Sequence, residues 1–267
     1  MPEVVALYRY PVKGFTPEPR ESLDVLASGR VAGDRVLAFR FGDAEPAPRT
    51  VEGDGWWPKA QMLVLMNTPG LARLSLRYDA EARRLSISHE GALLVEGGLE
   101  DADRVRIAAA VAEYARALPE QPDLDRPGRL PLQLIGDGVT ARYQDGDIGR
   151  VSLHGRASLA SLGEALDDGA LDERRFRSNI GIDDLEAWAE LEWGGRAVRI
   201  GGATFDVLRP AVRCLATHAN PAEGVRDRDV MTTLVRTFGH ESPQFGVMML
   251  PREGGSIRLG DPVELLD

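Results

Sequence analysis

Apolar and polar positions alternate in several short segments of the first hundred residues, which is the pattern of half-buried β-strands. Residues 4–10 are a predicted strand that ends at Pro11, and residues 36–41 are a predicted buried strand after a Gly-Asp turn. Residues 71–78 and 84–88 alternate in the same way and predict a hairpin. The chain is therefore expected to begin as a β-rich region.

Residues 101–117 depart from this alternation and predict an amphipathic helix. The segment is rich in alanine, and its apolar positions at Val105, Ala108, Val111 and Tyr114 follow a helical spacing. Residues 118–130, with three prolines and five charged side chains, are the best linker candidate. We expect two domains, an N-terminal module over residues 1–120 and a second domain over residues 121–267.

Beyond the linker, turn signals recur at short intervals between apolar segments. Residues 158–166 predict a short helix with Ser158 as its N-cap, and residues 230–238 a further helical segment. Such closely spaced strands favour a barrel over an open parallel sheet. The predicted fold is α+β and predominantly β, a β-barrel domain packed with an N-terminal β-rich module. Strands are expected at residues 179–182, 198–200, 203–208, 244–250 and 256–265.

Composition and charge narrow the possible functions. The 267 residues are 43% hydrophobic and 28% charged, as in globular proteins, and 32 basic against 42 acidic residues give a net charge of -10. We expect no nucleic-acid partner, because this charge repels a phosphate backbone. An apolar run near the ~20 residues of a membrane span and a secretory signal are both missing from the sequence. We therefore expect a cytoplasmic protein with no membrane association.

A single cysteine, Cys214, excludes an internal disulfide, a multi-cysteine zinc site and an iron-sulfur cluster held by four thiolates of this chain. By composition alone such a residue is most often a small buried hydrophobe. Its surroundings favour chemistry, because Cys214 follows a predicted strand and lies near Arg209 and Arg213 in sequence. A nearby guanidinium stabilises a thiolate, which is the form that binds soft metals.

Several segments, taken together and in order, resemble the MOSC domain, which is named for the C-terminal part of molybdenum-cofactor sulfurases. Two N-terminal segments resemble the β-barrel module that precedes this domain in the subgroup containing the mitochondrial amidoxime-reducing component. The resemblance covers nearly the whole chain. Its segments are Tyr10-Pro11-Val12-Lys13-Gly14, Gly33-Asp34-Arg35, Phe176-Arg177-Ser178-Asn179-Ile180, Arg213-Cys214-Leu215-Ala216-Thr217, Asn220-Pro221 with Gly224, Phe245-Gly246-Val247 and Gly260-Asp261-Pro262-Val263.

The resemblance implies a molybdenum cofactor of the molybdopterin type, with Cys214 as the catalytic cysteine and the protein's ligand to the metal. This cofactor ends in a phosphate, which requires fixed cations and hydrogen-bond donors. The positions matched to that role are Lys13, Arg35 and Arg177 as cations, Asn179 as a neutral donor and acceptor, and Ser158 as a hydroxyl contact.

The chain departs from the family pattern at three positions, which leaves the substrate preference open. Gly14 stands where amidoxime-reducing members often have Ser or another polar residue, Ser178 where Pro is common, and Asn220 where Asp often occurs. His218 is a candidate for proton transfer or substrate orientation, although a structural histidine is the commoner use. The pair Trp56-Trp57 is a candidate wall of the substrate pocket or, more commonly, a packing element.

The function implied by the resemblance is an oxidoreductase that removes oxygen from N-hydroxylated or other N-oxygenated small molecules. Re-reduction then requires a separate electron donor such as a ferredoxin or a flavoprotein reductase, because the chain ends at Asp267 and lacks cysteines for a cluster. The alternative is a non-catalytic protein, either a carrier of the finished cofactor or a sulfur carrier with a persulfide on Cys214.

Overall fold

The computed structural model describes residues 1–45, 58–145 and 149–266. These residues contain fifteen strands and three α-helices, joined by short 3₁₀ turns. The helices are α1 (Asp101–Arg116), α2 (Arg156–Ala165) and α3 (Val230–Arg236). The strands are β1 (Glu3–Arg9), β2 (Glu18–Pro19), β3 (Ser22–Val25), β4 (Ala38–Arg40), β5 (Leu74–Asp79), β6 (Arg84–His89), β7 (Ala92–Gly97), β8 (Gln133–Ile135), β9 (Val151–Gly155), β10 (Ile180–Asp183), β11 (Ala197–Ile200), β12 (Ala203–Val212), β13 (Gln244–Glu253), β14 (Gly255–Arg258) and β15 (Val263–Leu266).

The largest sheet has eight strands in the order β15-β11-β12-β13-β9-β10-β1-β2 and curls into a half-barrel. Its neighbours are antiparallel except for β9 and β10, which are parallel. The predicted hairpin of β11 and β12 is confirmed, with Gly201 at a φ of +52° in the turn between them. The prediction of a predominantly β, α+β fold with a barrel-like domain is therefore confirmed.

A smaller three-stranded sheet, β5-β6-β7, packs with α1 and with the two-stranded sheet of β4 and β8. Leu74, Leu76 and Tyr78 are buried while the residues between them are exposed, as the alternation predicted. The helix α1 is confirmed, but the prediction that Val105 belongs to its buried face is wrong, since Val105 is 70% exposed. The buried face consists instead of Ile107, Ala108, Val111, Ala112 and Ala115.

Strand pairing crosses the expected domain boundary at residue 120. In the large sheet, β1 pairs with β10, and outside it β3 pairs with β14 and β4 with β8. One hydrophobic core lies between α1 and the strands β4 to β8, and a second core lies within the half-barrel. The division into residues 1–120 and 121–267 stays a prediction, and a cut there would separate strands that are hydrogen-bonded to each other.

The helix α2 begins two residues earlier than the sequence predicted. Its N-cap is Gly155, and the prediction of Ser158 as the cap is wrong. The Ser158 hydroxyl donates to Glu190 at 2.8 Å and accepts from the backbone amide of Trp188 at 2.8 Å, so tertiary contacts use the oxygen that a cap would need. Among the described residues, no helix has the length and apolar character needed to cross a bilayer.

Candidate cofactor site

A cleft lies where the loops after β1 and β12 approach β9 and the segment before β10. Among the described residues, its lining contains six cationic side chains and one carboxylate, in a chain with a net charge of -10. We call this cleft the Cys214 pocket. It is lined by Lys13, Gly14, Arg35, Lys59, Val64, Leu65, Met66, Asp145, Ser152, Arg175, Phe176, Arg177, Val212, Arg213, Cys214, Ala216, Thr217 and Met248.

Cys214 is placed at the rim of this pocket by the end of β12. It has an extended backbone (φ −128°, ψ 178°) and precedes a 3₁₀ turn over Leu215–His218. The Thr217 hydroxyl and the Thr217 amide both donate to the Cys214 carbonyl at 3.0 Å, which fixes the turn. The thiol belongs to a partly exposed residue, so a ligand can reach it.

The neighbouring Arg213 is a buried cation held by carbonyl oxygens. Its guanidinium donates to the carbonyl of Phe176 at 2.7 Å and to that of Phe245 at 2.8 Å. The two phenyl rings stack at 3.8 Å and lie beside the guanidinium. Burial lowers the pKa of Arg213 to about 10, although the charge of Cys214 opposes this shift. Arg213 therefore remains positive at neutral pH and gives the pocket a fixed positive charge.

Lys13 contributes a second buried charge, and its side chain is 4% exposed. The ammonium donates to Asp145 at 2.7 Å and to the carbonyls of Tyr143 and Gln144 at 3.0 and 3.1 Å. Burial lowers the pKa of Lys13 despite the attraction of Asp145. The adjacent Gly14 has a φ of +77°, and a Cβ there would lie 2.5 Å from a methyl carbon of Val64, which explains why this position is a glycine.

Arg35 and Arg177 lie on the ring of Tyr10. Their guanidinium carbons are 5.0 and 4.5 Å from the ring centroid. Arg35 is paired with Asp34, whereas Arg177 donates to the carbonyl of Phe15 and has no carboxylate partner among the described residues. Burial and the charge of Arg35 lower the pKa of Arg177. The pocket thus contains three cations, Lys59, Arg177 and Arg213, that form no ion pair with a carboxylate of the described residues.

The other two predicted cofactor contacts lie behind the pocket wall. Asn179 is buried, and its side-chain amide donates to the Tyr8 carbonyl at 3.2 Å and to Asp34 at 3.4 Å. Its side-chain oxygen accepts from the Ser152 hydroxyl at 3.3 Å. Ser158 is fully buried in α2 with the partners given above. The structure therefore brings Lys13, Arg35, Arg177 and Cys214 to one pocket and places Asn179 and Ser158 outside its lining.

His218 also lies outside the pocket lining, at the end of the 3₁₀ turn after Cys214 and in contact with the first turn of α3. Its Nε2 accepts from the Met231 amide at 3.3 Å, and burial lowers its pKa. These contacts fit the structural alternative for this histidine. Arg209 is exposed on β12 and does not line the pocket. Trp56 and Trp57 lie outside the described residues.

Four residues that support the site were not singled out from the sequence. Arg175 lines the pocket and is paired with Asp227 at 2.7 Å. Tyr10 and Asp34 hold the arginines from behind, and Phe245 provides a carbonyl for Arg213. Tyr10, Asp34 and Phe245 stand inside segments that carried the resemblance, so their place in those segments was the available signal. For Arg175 the signal was only its position directly before such a segment.

The chain is similar to several known proteins. The profile of the MOSC domain family matches residues 141–264. Molybdenum cofactor sulfurase from Drosophila grimshawi is 39% identical over 118 residues, which are 42% of this chain and 14% of that protein. Mitochondrial amidoxime-reducing component 1 from Homo sapiens is 29% identical over 120 residues, which are 41% of this chain and 35% of that protein.

Among solved structures, the YuaD protein from Bacillus subtilis aligns with 99% of this chain and 96% of its own, at 10% identity and a TM-score of 0.46. The matches to the two named relatives above span less than two fifths of the length of either protein.

Proposed function

We propose that the protein, whose residues 141–264 match the MOSC domain family, binds a molybdenum cofactor through Cys214 and reduces N-hydroxylated or other N-oxygenated compounds. The proposal rests on one observation, that the thiol of Cys214 lines a strongly cationic pocket. The overall conversion consumes two electrons and two protons and releases water. We further propose that the electrons come from a separate donor and that the protein acts in the cytoplasm.

The residues present fit such a cofactor. The chain offers a single thiol, at Cys214, which suits a metal whose other sulfur ligands belong to the cofactor's dithiolene. Arg177 and Arg213 are cations without carboxylate partners among the described residues, so the pocket attracts a bound anion. A phosphate-bearing anion supplies that charge, and arginine binds phosphate through paired hydrogen bonds.

When bound, the cofactor supplies oxygen-atom and two-electron chemistry that protein side chains lack. In the proposal, Cys214 holds the metal end, and Arg213 contributes positive charge next to Cys214 in the pocket lining. Lys13, Arg35 and Arg177 bind the phosphate end and so orient the cofactor. Asn179 and Ser158, which lie outside the lining, act on the cofactor only through their neighbours.

The first experiment is to purify the protein from a molybdenum-replete host and measure molybdenum per chain. We expect wild type and a Leu215→Ser control to retain similar amounts, since Leu215 is exposed and does not line the pocket. Cys214→Ser is expected to retain far less. Equal retention by Cys214→Ser would contradict ligation by this residue.

A second measurement separates the enzyme from the carrier. The loaded protein is supplied with a strong artificial reductant and a panel of N-hydroxylated compounds, and the reduced products are quantified. Turnover supports the reductase. Molybdenum without turnover supports a cofactor carrier, and cyanide-releasable sulfur on Cys214 without molybdenum supports a persulfide carrier.

A further inference from the structure

Tyr10 is a fully buried residue whose ring contacts two cations. It follows β1 directly, and its hydroxyl donates to the Ser178 carbonyl at 3.1 Å. Its amide donates to Asp34 at 2.7 Å, and its carbonyl accepts from the Arg35 amide at 2.6 Å. The ring is therefore held by hydrogen bonds from both of its neighbouring segments, one before β10 and one after β3.

The two arginines on this ring have backbones that L-residues rarely adopt. Arg35 has a φ of +52° and Arg177 a φ of +54°. Each such conformation costs free energy and persists only where surrounding contacts compensate for it. Both side chains extend to the same ring, so the strained backbones and the ring contacts together fix where the guanidinium groups lie.

Two positive charges on one ring repel each other, and only Arg35 has a carboxylate partner among the described residues. A cation over an aromatic face is attracted by the negative face of the ring, which offsets part of this repulsion. Without the ring, the flexible Arg177 side chain would move away from Arg35. An anion bound by both arginines would then have to bring them together and would bind more weakly.

We infer that Tyr10 is a positioning residue whose ring fixes Arg35 and Arg177 in the lining of the Cys214 pocket and so prepares a binding site for a phosphate group. The inference rests on the proposed function, in which that phosphate belongs to the cofactor. The role of Tyr10 does not depend on the metal, because the site should bind inorganic phosphate as well.

The test measures inorganic phosphate binding to cofactor-free protein by titration calorimetry, at constant ionic strength. Tyr10→Phe keeps the ring and should bind within about twofold of wild type. Tyr10→Leu removes two ring contacts, and roughly 1.4 kcal/mol of lost interaction corresponds to about tenfold weaker binding. Tyr114→Leu, a half-buried tyrosine outside the pocket, is the control and should leave phosphate affinity unchanged.

A fluorinated series changes the charge distribution of the ring but keeps its shape nearly constant, so the variants should fold like wild type. Phenylalanine analogues with increasing fluorine content at position 10 weaken the negative face stepwise, and the phosphate affinity should fall in the same order. A flat series, or equal loss in Tyr10→Phe and Tyr10→Leu, would overturn the inference. Phosphate binding that follows the series in a protein that never acquires molybdenum would instead refute the proposed function and leave the role of Tyr10 intact.

Discussion

Replacing Asp34 with asparagine tests the electrostatic construction of the pocket. Asp34 is 1% exposed, accepts from the Tyr10 amide at 2.7 Å and is paired with Arg35. Asparagine keeps the volume and one carbonyl oxygen but removes the negative charge. Asp34→Asn therefore leaves the guanidinium of Arg35, whose side chain is 16% exposed, without its carboxylate.

Breaking a buried ion pair by removing one partner costs about 3–5 kcal/mol. The cost should be smaller here, because Arg35 keeps some contact with water and the asparagine oxygen can still accept from Tyr10. Asp145 also remains within electrostatic reach of Arg35. We expect Asp34→Asn to lower the free energy of unfolding by roughly 2–4 kcal/mol.

The assay is urea unfolding of wild type, Asp34→Asn and the control Asp24→Asn. Asp24 is exposed and has no ion-pair partner among the described residues, so its variant should lie within about 0.5 kcal/mol of wild type. Added inorganic phosphate should stabilise Asp34→Asn more than wild type, because it replaces the missing negative charge. An Asp34→Asn variant as stable as the control would refute the claim that Asp34 neutralises the pocket.

Two further variants test the surroundings of the pocket. Burial raises the pKa of Glu173, but hydrogen bonds, first that from His154, lower it to about 2. Its stabilising contribution is therefore complete above the usual pKa of 4.5 and is lost as the pH falls toward 2. Glu173→Gln should lower the free energy of unfolding by about 1–3 kcal/mol at pH 7, measured by urea unfolding. The difference from wild type should shrink below about pH 4. A difference that stays constant with pH would contradict the lowered pKa of Glu173. Gly246 has a φ of +66°, and a Cβ there would lie 2.3 Å from the carbonyl oxygen of Leu153. The control is Gly195→Ala, because Gly195 has a φ of +82° but open space around it. In thermal unfolding, Gly246→Ala should lower the free energy of unfolding by at least about 2 kcal/mol more than Gly195→Ala does. Equal losses would contradict the close approach of β9 and β13.

Strands were predictable from the sequence because burial alternates along them. In β5 the buried Leu74, Leu76 and Tyr78 face the core, and apolar and polar residues alternate in the same way in the amino-acid sequence. The face of α1 was harder to assign, because an alanine-rich helix offers several faces of similar polarity. Packing against the core buries the face with Ile107 and Val111 and leaves Val105 in solvent.

The site was predictable where a residue carries its own chemistry and less so where a residue acts through another. Cys214, Lys13, Arg35 and Arg177 were named from the sequence, and all four line one pocket. The contact of Tyr10 with Arg177 depends on the pairing of β1 with β10, which joins positions far apart in the chain. Ser158 was misassigned as a cap for the same reason, since its partners lie about thirty residues away.

The central claim is that the sulfur of Cys214 binds molybdenum, and the single cysteine of the chain permits a direct test. Selenocysteine incorporated in place of cysteine labels residue 214 alone. X-ray absorption at the molybdenum edge of the loaded protein then reports the atoms bound to the metal. We expect a selenium neighbour at bonding distance in the labelled protein and a sulfur neighbour in its place in the unlabelled one. Molybdenum bound in both proteins with no selenium neighbour in the labelled one would contradict the claim.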